Sequence, residues 1–274
     1  MSTQSSWQSR RGFLLAAGAA VATPAFAQVD VGKRSGFRKM VSADEIEQAA
    51  AQQYAKMMAE ARAQKALASD GNAQLRRLRA IGQRIIPHTA QWNERATQWR
   101  WEINLIGSKE INAFCMPGGK IAFYTGILDR LDLTDDEAAM IMGHEMAHAL
   151  REHARERIGK TQATGVGLSL FSQLLGLGDL GNAVANIGTQ LLTLTFSRED
   201  ESEADLVGLE LAARAGYLPQ AGASLWRKMA EASGGGGGNL AFLSTHPSGP
   251  QRIRELQANE AKVQGLYERA RRGR

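Results

Sequence analysis

Two histidines and a glutamate stand close together in the sequence H-E-M-A-H, from His144 to His148. Residues four apart on a helix lie on one face, one turn apart, so both imidazole rings can reach a single tetrahedral zinc ion. Glu145 is rotated away from that face just far enough to reach a water molecule at the metal. The spacing therefore predicts two zinc ligands, His144 and His148, and a general base, Glu145.

The alternative interpretation of this stretch is a charged helix face that happens to contain histidine. The residues before it, A-A-M-I-M-G at 138–143, are apolar or small, and a capping box, T-D-D-E at 134–137, begins the helix. This context predicts a buried setting and favours metal-dependent peptide hydrolysis. His153 lies five residues beyond His148, off the ligand face and among charged residues, and is predicted to face solvent.

A zinc site needs a third protein ligand, and acidic residues cluster in S-R-E-D-E-S-E-A-D at 197–205. Helical spacing places Glu201 and Asp205 on one stripe with apolar and small residues, whereas Glu199 and Glu203 lie on other faces. A buried carboxylate needs a partner. We predict Glu201 as the third ligand, and Asp205 as the acceptor of the far N–H of a ligand histidine. A surface acidic cluster is the alternative, and it fits Glu199 and Glu203 better.

Helices and a small sheet are predicted to hold these residues. S-A-D-E at 42–45 is a capping box that begins a helix predicted to run to about Ala68, and a second amphipathic helix is predicted over 73–86. Aromatic and apolar residues alternate with polar ones over 98–107, and I-N-A-F-C and K-I-A-F-Y-T-G flank the turn M-P-G-G-K. These patterns predict a small antiparallel sheet of about three strands in an otherwise mostly helical, α+β protein.

One predicted strand is a candidate for substrate binding. Asn112, Ala113 and Phe114 are expected to offer a strand edge on which an extended peptide adds as another strand, with an ordinary core strand as the alternative. Cys115 follows and is the single cysteine, so no internal disulfide is expected. Its apolar surroundings predict a small buried hydrophobe, with a soft metal ligand as the lesser alternative.

The segment 161–197 carries one charged residue, Asp179. Its glycines and polar side chains make a poor membrane span, so we predict a helical hairpin that is buried or covers the site, with peripheral membrane contact as the alternative. A long helix is predicted from about Asn182 to Ala215. The glycine run at 234–238 predicts a flexible loop.

The first 27 residues have the features of an export signal. Arg10 and Arg11 precede an apolar stretch at 13–21 and an A-x-A site. S-R-R-x-F-L resembles the twin-arginine signal of the Tat route, and an ordinary secretory signal is the alternative. No cysteine follows the cleavage site, so a lipoprotein is not expected. The mature protein is predicted to begin near Gln28 in the periplasm, with a linker and helix at 28–70 and the zinc domain at 71–274.

The charge distribution argues against nucleic acid as a partner. The chain has 33 basic and 28 acidic residues, and without Arg10 and Arg11 the balance is 31 against 28. Much of that excess lies in the last residues, from Arg269 to Arg274. No basic stripe interleaved with aromatic residues is found, so no nucleic-acid-binding face is predicted.

Three motifs in order resemble one known family. H-E-M-A-H, S-R-E-D-E-S-E-A-D and S-T-H-P-S-G-P-Q-R-I resemble motifs of the gluzincin family that includes HtpX, BepA and the CAAX prenyl proteases. N-A-F-C-M-P-G-G-K-I resembles the N-A-F-x-x-P-G-G-x-I region of the same family, and together these motifs span about residues 72–260. The resemblance implies a zincin-like zinc metalloendopeptidase with ligands His144, His148 and Glu201 and the base Glu145.

The resemblance includes the T-H-P string and so implies that His246 lies near the metal. Its N–H could stabilise the oxyanion of the tetrahedral intermediate. Its neutral ring could instead take the fourth zinc position and inhibit the enzyme. We expect the donor role ahead of the inhibitory one, and a loop histidine made rigid by Pro247 is the third possibility.

A protease that binds the backbone of an extended peptide accepts unfolded chains. The predicted substrates are therefore unfolded or misassembled proteins of the cell envelope, in protein quality control. Two other classes of function stay open at this point. One is a chaperone or binding module whose zinc site is closed by the apolar 161–197 segment, and the other is a scaffold with a structural zinc.

Overall fold

The computed structural model describes residues 29–163, 191, 194–234, 241–246 and 249–273. Within these ranges helices surround a three-stranded sheet, so the predicted α+β, mostly helical fold is confirmed. The elements in chain order are α1 (Ala43–Ala63), α2 (Ala73–Ile85), β1 (Glu102–Ile106), β2 (Ala113–Met116), β3 (Lys120–Tyr124), α3 (Thr125–Arg130), α4 (Asp135–Arg151), α5 (His153–Ala163), α6 (Arg198–Arg214), α7 (Ala221–Gly234), α8 (Ala241–Thr245) and α9 (Pro250–Arg272).

The strand order of the sheet is β1-β3-β2, and one strand pair differs from the prediction. Gly118 and Gly119 both have positive φ and close a tight turn, so β2 and β3 pair antiparallel. The connection 107–112 is held at the far end of β3 by a hydrogen bond from Gly126 N to Ser108 O (2.8 Å). It brings β1 to the other edge of β3, where the strands pair parallel. The predicted all-antiparallel sheet is therefore wrong, because alternation of side chains does not encode strand direction.

Helix α1 packs on the sheet and ends earlier than predicted. It begins as expected, with the Ser42 side chain accepting a hydrogen bond from Glu45 N. Its Tyr54 hydroxyl donates to Ile121 O of β3 at 2.5 Å. The helix ends at Ala63 and not near Ala68, because Leu67 leaves it to form a β-bridge with Ile106.

Helix α4 is buried along most of its length and crosses α6 at two glycines. A Cβ atom on Gly143 would lie 2.8 Å from Gly208 O, and one on Gly208 would lie 2.6 Å from His144 N. No larger residue fits at either position without moving a backbone. The close crossing brings the acidic first half of α6 against the histidines of α4.

Helix α6 begins at Arg198, so the helix predicted from Asn182 to Ala215 is wrong at its start. Residues 194–197 are not helical. Ser197 caps α6 instead, because its Oγ accepts from Asp200 N (3.1 Å) and the Asp200 carboxylate accepts from Ser197 N (2.9 Å).

Two further predictions lie partly outside the described residues. Residues 164–190 and 192–193 of the predicted hairpin are not described, nor are 235–238 of the glycine run, whose first residue ends α7. Among the helices that are described, none has the length and apolar character needed to cross a membrane.

Candidate metal centre

Four buried side chains from three parts of the fold converge on one point. His144 and His148 come from α4, Glu201 from the first turn of α6, and His246 follows α8. One ligand atom from each lies within 4.8 Å of the others. His144 Nε2 lies 3.2 Å from His148 Nε2 and 3.5 Å from a Glu201 oxygen. The first three are the residues predicted as zinc ligands, and the structure brings them together.

Asp205 orients the ring of His144. It lies one turn after Glu201 on α6, and its Oδ1 accepts the hydrogen bond from His144 Nδ1 at 3.0 Å. The proton is thereby held on Nδ1, and the lone pair of Nε2 faces the other ligand atoms. Asp205 has the position that its spacing from Glu201 predicted.

Arg252 was not predicted from the sequence, and it holds both carboxylates. Its Nε and Nη2 bind Asp205 at 2.6 and 2.8 Å, and its Nη1 lies 2.6 Å from Glu201 Oε2. The guanidinium carbon lies 3.7 Å from the ring centre of Trp226, which also donates to Asp205 at 3.2 Å. Arg252 lies in the first turn of α9, within the T-H-P-S-G-P-Q-R-I string. Its place in that string was the sequence signal that could have pointed to a role at the site.

The protonation states around the centre suit a metal ion. Burial lowers the pKa of His148 well below its usual range, although Glu201 opposes this, so the ring is neutral. Burial raises the pKa of Glu201, but the neighbouring imidazoles of His148 and His246 outweigh this effect and the pKa is lowered. Neutral imidazoles and an ionised carboxylate are the forms that bind metals.

The donor set also fits zinc. The Nδ1 atoms of His144 and His148 face Asp205 and His153, so their Nε2 atoms lie on the side of the cluster, 3.2 Å apart. Two lone pairs at that distance repel unless a cation lies between them. Two imidazole nitrogens and a carboxylate oxygen are the ligand set of many catalytic zinc sites.

Glu145 lies beside this cluster with an oxygen available. Its carboxylate is buried, and its Oε1 has no hydrogen-bond partner in the part of the chain that the structure describes. His246 Nε2 lies 3.5 Å from that oxygen. Burial raises the pKa of Glu145, because the charged form loses its hydration.

His153 is buried against the centre, which corrects its predicted place in solvent. Glu152 has a φ of 63° and ends α4, so helical spacing cannot be extended from His148 to His153. The Nδ1 of His153 lies 2.9 Å from the Nδ1 of His148. Glu203 lies on another face of α6 than Glu201, as predicted, but it is half-buried there against Arg151 and His153.

A cleft opens along β2 beside the cluster. Asn112, Ala113 and Phe114 line it together with Glu145 and His246. Strand β2 is at one edge of the sheet, and no other described strand pairs with its outer side.

Cys115 lies in β2 and is buried, as predicted. It is not one of the four residues whose ligand atoms converge, so the alternative of a soft metal ligand finds no support. Burial raises the pKa of its thiol well above the usual value, which keeps it protonated and unreactive.

Comparison with known proteins agrees with this geometry. Mitochondrial metalloendopeptidase OMA1 of Schizosaccharomyces pombe is 40% identical over 159 residues, which cover 58% of this chain and 46% of that protein. Metalloprotease LoiP of Escherichia coli is 28% identical over 161 residues (55% and 59%). The beta-barrel assembly-enhancing protease of Yersinia pestis is 26% identical over 197 residues (68% and 39%). The chain thus spans about half the length of these relatives.

The profile of peptidase family M48 matches residues 72–260, the same region that carries the three motifs. That region includes α2, the sheet, both helices of the glycine crossing and the first half of α9. The chain therefore belongs to peptidase family M48.

Proposed function

We propose that the protein is a zinc-dependent endopeptidase. The observation that carries this proposal is the convergence of His144, His148 and Glu201 around one point, with the buried carboxylate of Glu145 beside them. Membership of family M48 supports it, as do relatives that are named metalloendopeptidases. A structural zinc site would need neither a nearby carboxylate such as Glu145, with an oxygen that accepts no hydrogen bond from the described residues, nor an adjoining cleft.

The residues divide the chemistry between them. A zinc ion held by His144, His148 and Glu201 would supply a Lewis acid for the scissile carbonyl and lower the pKa of a water molecule. Glu145 takes the proton from the attacking water and passes it to the leaving amine. Its raised pKa suits a group that must both accept a proton and release it. Asp205, held by Arg252, keeps the ring of His144 in place throughout.

The substrate binds as an extended chain along β2. The outer edge of this strand lines the cleft through Asn112, Ala113 and Phe114, and Glu145 lies in the same cleft. A peptide that adds to a strand edge is recognised mainly by its main-chain hydrogen bonds. Such a site accepts unfolded segments of many sequences and excludes folded proteins.

His246 acts next to the zinc. Burial lowers its pKa, but the negative charges of Glu145 and Glu201 outweigh this and raise it. A ring that keeps its Nε2–H on the Glu145 side of the cluster can donate to an oxyanion. Its Nδ1, 3.0 Å from Glu201 and among the ligand atoms, would instead serve as a fourth ligand. We propose the donor role, and activity of a variant distinguishes the two.

We further propose that the enzyme acts in the periplasm on unfolded or misassembled envelope proteins. The leader at residues 1–27 and the relative named for beta-barrel assembly support this location and this substrate class. Several other relatives are named mitochondrial, so the proposal rests chiefly on the leader.

Cleavage of unfolded casein tests the proposed activity. The purified mature protein should cleave casein, lose this activity when a chelator removes the metal, and regain it when zinc is added back. Zinc content is measured in the same samples. Cleavage that continues after the metal has been removed would contradict the zinc mechanism, and a zinc-loaded protein that binds casein without cleaving it would indicate a chaperone.

A further inference from the structure

His144 and His148, the two proposed zinc ligands of α4, have different hydrogen-bond partners at Nδ1, the ring nitrogen that points away from the cluster. Asp205 accepts directly from Nδ1 of His144 at 3.0 Å. Behind His148 there is a second histidine instead of a carboxylate: the Nδ1 atoms of His148 and His153 lie 2.9 Å apart. The carboxylate comes next, because Glu203 Oε2 lies 3.3 Å from Nε2 of His153.

This order of groups determines where the protons lie. An ionised carboxylate only accepts hydrogen bonds, so Nε2 of a neutral His153 carries the proton that is donated to Glu203. The Nδ1 of His153 then has a lone pair and accepts from Nδ1–H of His148. His148 is left with its lone pair on Nε2, the atom that faces the cluster. Glu203 thereby sets the tautomer of His148 through one intervening ring.

Glu203 is held firmly enough to do this. Arg151 Nε donates to its Oε2 at 2.7 Å, and Arg151 Nη2 donates to the carbonyls of Val31 and Gly32 at 3.3 and 3.1 Å. His153 Nε2 lies 3.3 Å from the same oxygen, so donors from two other helices converge on Glu203. His153 is 1% exposed, so bulk water does not compete for its ring.

We propose that His153 and Glu203 are positioning residues that orient His148 and present its Nε2 to the metal. This inference rests on the proposed zinc function. Neither residue is among the four whose ligand atoms converge, so neither is assigned as a ligand. Hydrogen-bond partners behind a ligand histidine typically change metal affinity by roughly 10- to 100-fold when they are removed.

A purely structural role makes a different prediction. His153 begins α5, and its contacts join α4, α5 and α6, so its loss could lower stability without changing the metal site. A pair of variants separates the two roles. His153→Phe keeps an aromatic ring but removes both nitrogens, whereas His153→Gln keeps one acceptor for His148 and one donor for Glu203.

The experiment measures the rate at which zinc passes from each loaded protein to an excess of a coloured chelator, with the melting temperature as a parallel readout. We expect His153→Phe to release zinc roughly 10- to 100-fold faster than the wild type, and His153→Gln to restore most of the difference. Glu203→Gln should load about one zinc per chain but release it faster. Glu199→Gln, exposed in the first turn of the same helix, is the matched control and should release zinc at the wild-type rate.

A second readout needs no metal. In the metal-free protein, long-range proton–nitrogen NMR spectra report the tautomer of His148. We expect Nδ1–H in the wild type and a mixture of tautomers in His153→Phe. Equal zinc release from wild type and His153→Phe, with an unchanged His148 tautomer, would overturn the inference. A wild type that binds no zinc would instead overturn the proposed function, while the NMR comparison would still test the hydrogen-bond relay.

Discussion

The buried carboxylate of Glu145 has one oxygen, Oε1, with no hydrogen-bond partner among the described residues. Replacing it by glutamine keeps the size of the side chain but removes its ability to accept a proton. We expect Glu145→Gln to fold and bind zinc as the wild type does, and to lose ~10²-fold or more of its turnover. Casein cleavage and zinc content measured together test this, and a glutamine variant with wild-type turnover would refute the mechanism.

The ligands make a separate prediction about metal content. The wild type should hold about one zinc per chain, and alanine at His144, His148 or Glu201 should lower this content, because each supplies one of the converging ligand atoms. Glu199→Ala, at an exposed position of the same helix, is the control and should leave the zinc content unchanged. Metal analysis after gel filtration is the measurement. A requirement for Glu203 but not for Glu201 would show that the wrong face of α6 has been assigned.

At His246 the two chemical roles predict opposite changes. If its N–H donates to the oxyanion, His246→Ala should lower turnover by ~10²–10³-fold with zinc retained. If its ring occupies the fourth zinc position, the same variant should be more active than the wild type. We expect the loss. Turnover of casein and the zinc content of the variant are measured together, and unchanged values of both would place His246 outside the mechanism.

At the scale of single residues, the sequence predicted those that lie on regular helical spacing. His144, His148 and Glu145 follow from one motif, and Glu201 and Asp205 were picked from their neighbours because they share one stripe. The sequence did not predict His153, because Glu152 changes the direction of the chain between it and His148. Arg252 was missed for a similar reason, since it reaches Asp205 from a helix 47 residues further along the chain.

Among the elements, α4 matters most for the site, and its N-terminus offers a test through pH. Glu137 accepts from Thr134 N in the capping box, and also from Lys228 and Ser224. Burial raises its pKa, but these hydrogen bonds outweigh it and the pKa is lowered. Its contribution to stability is therefore present above the unfolded-state pKa of about 4.3 and is lost as the pH falls through the lower folded-state value.

We accordingly expect Glu137→Gln to lower the free energy of unfolding by about 1–2 kcal/mol at pH 7. The difference from the wild type should shrink as the pH falls below about 4. Urea unfolding of the metal-free proteins across this pH range is the measurement. Glu45→Gln is the matched control, because Glu45 stands at the same distance from the cap of α1 but is exposed. A difference between wild type and Glu137→Gln that grows towards acid pH would contradict the assignment.

The element boundaries show which physical signals the sequence carries. Capping residues predicted the starts of α1 and α4. The cap side chain bonds a backbone N–H only three residues later, so the signal lies within a short stretch of sequence. The start of α6 has the same signal in Ser197 and Asp200, but it was masked by apolar residues that continued the helical spacing before it. The direction of β1 depends on where the connection 107–112 crosses the sheet, and that is a tertiary property.

The glycine crossing belongs to the same class of features. Gly143 and Gly208 are 65 positions apart in the sequence, and neither shows on its own that a helix will pack against it. The close contact of α4 and α6 at these glycines places Glu201 and Asp205 next to the histidines. The sequence therefore predicted Glu201, Asp205 and the two histidines as site residues, whereas the packing that joins them required the structure.

At the scale of the whole molecule, the segment that follows the predicted leader is part of the folded domain. Val29 N donates to the buried carboxylate of Glu210 at 3.0 Å, and Arg34 pairs with Glu152 at 3.1 Å. The carbonyls of Val31 and Gly32 hold Arg151. A cleavage site near Gln28 would thus lie at the border of the domain, where removal of the leader leaves every one of these contacts in place.

The export route is the last prediction, and it concerns the leader. The Tat route recognises an arginine pair, which lysine does not replace although it keeps the charge. We therefore expect the change of Arg10 and Arg11 to lysine to leave the uncleaved precursor in the cytoplasm of a bacterial host. Fractionation followed by immunoblotting measures this. In the matched control, Arg271 and Arg272, an exposed pair at the end of α9, are changed to lysine instead. This variant should be exported normally. Normal export of the leader variant would assign the protein to the general secretory route, which tolerates lysine in that region.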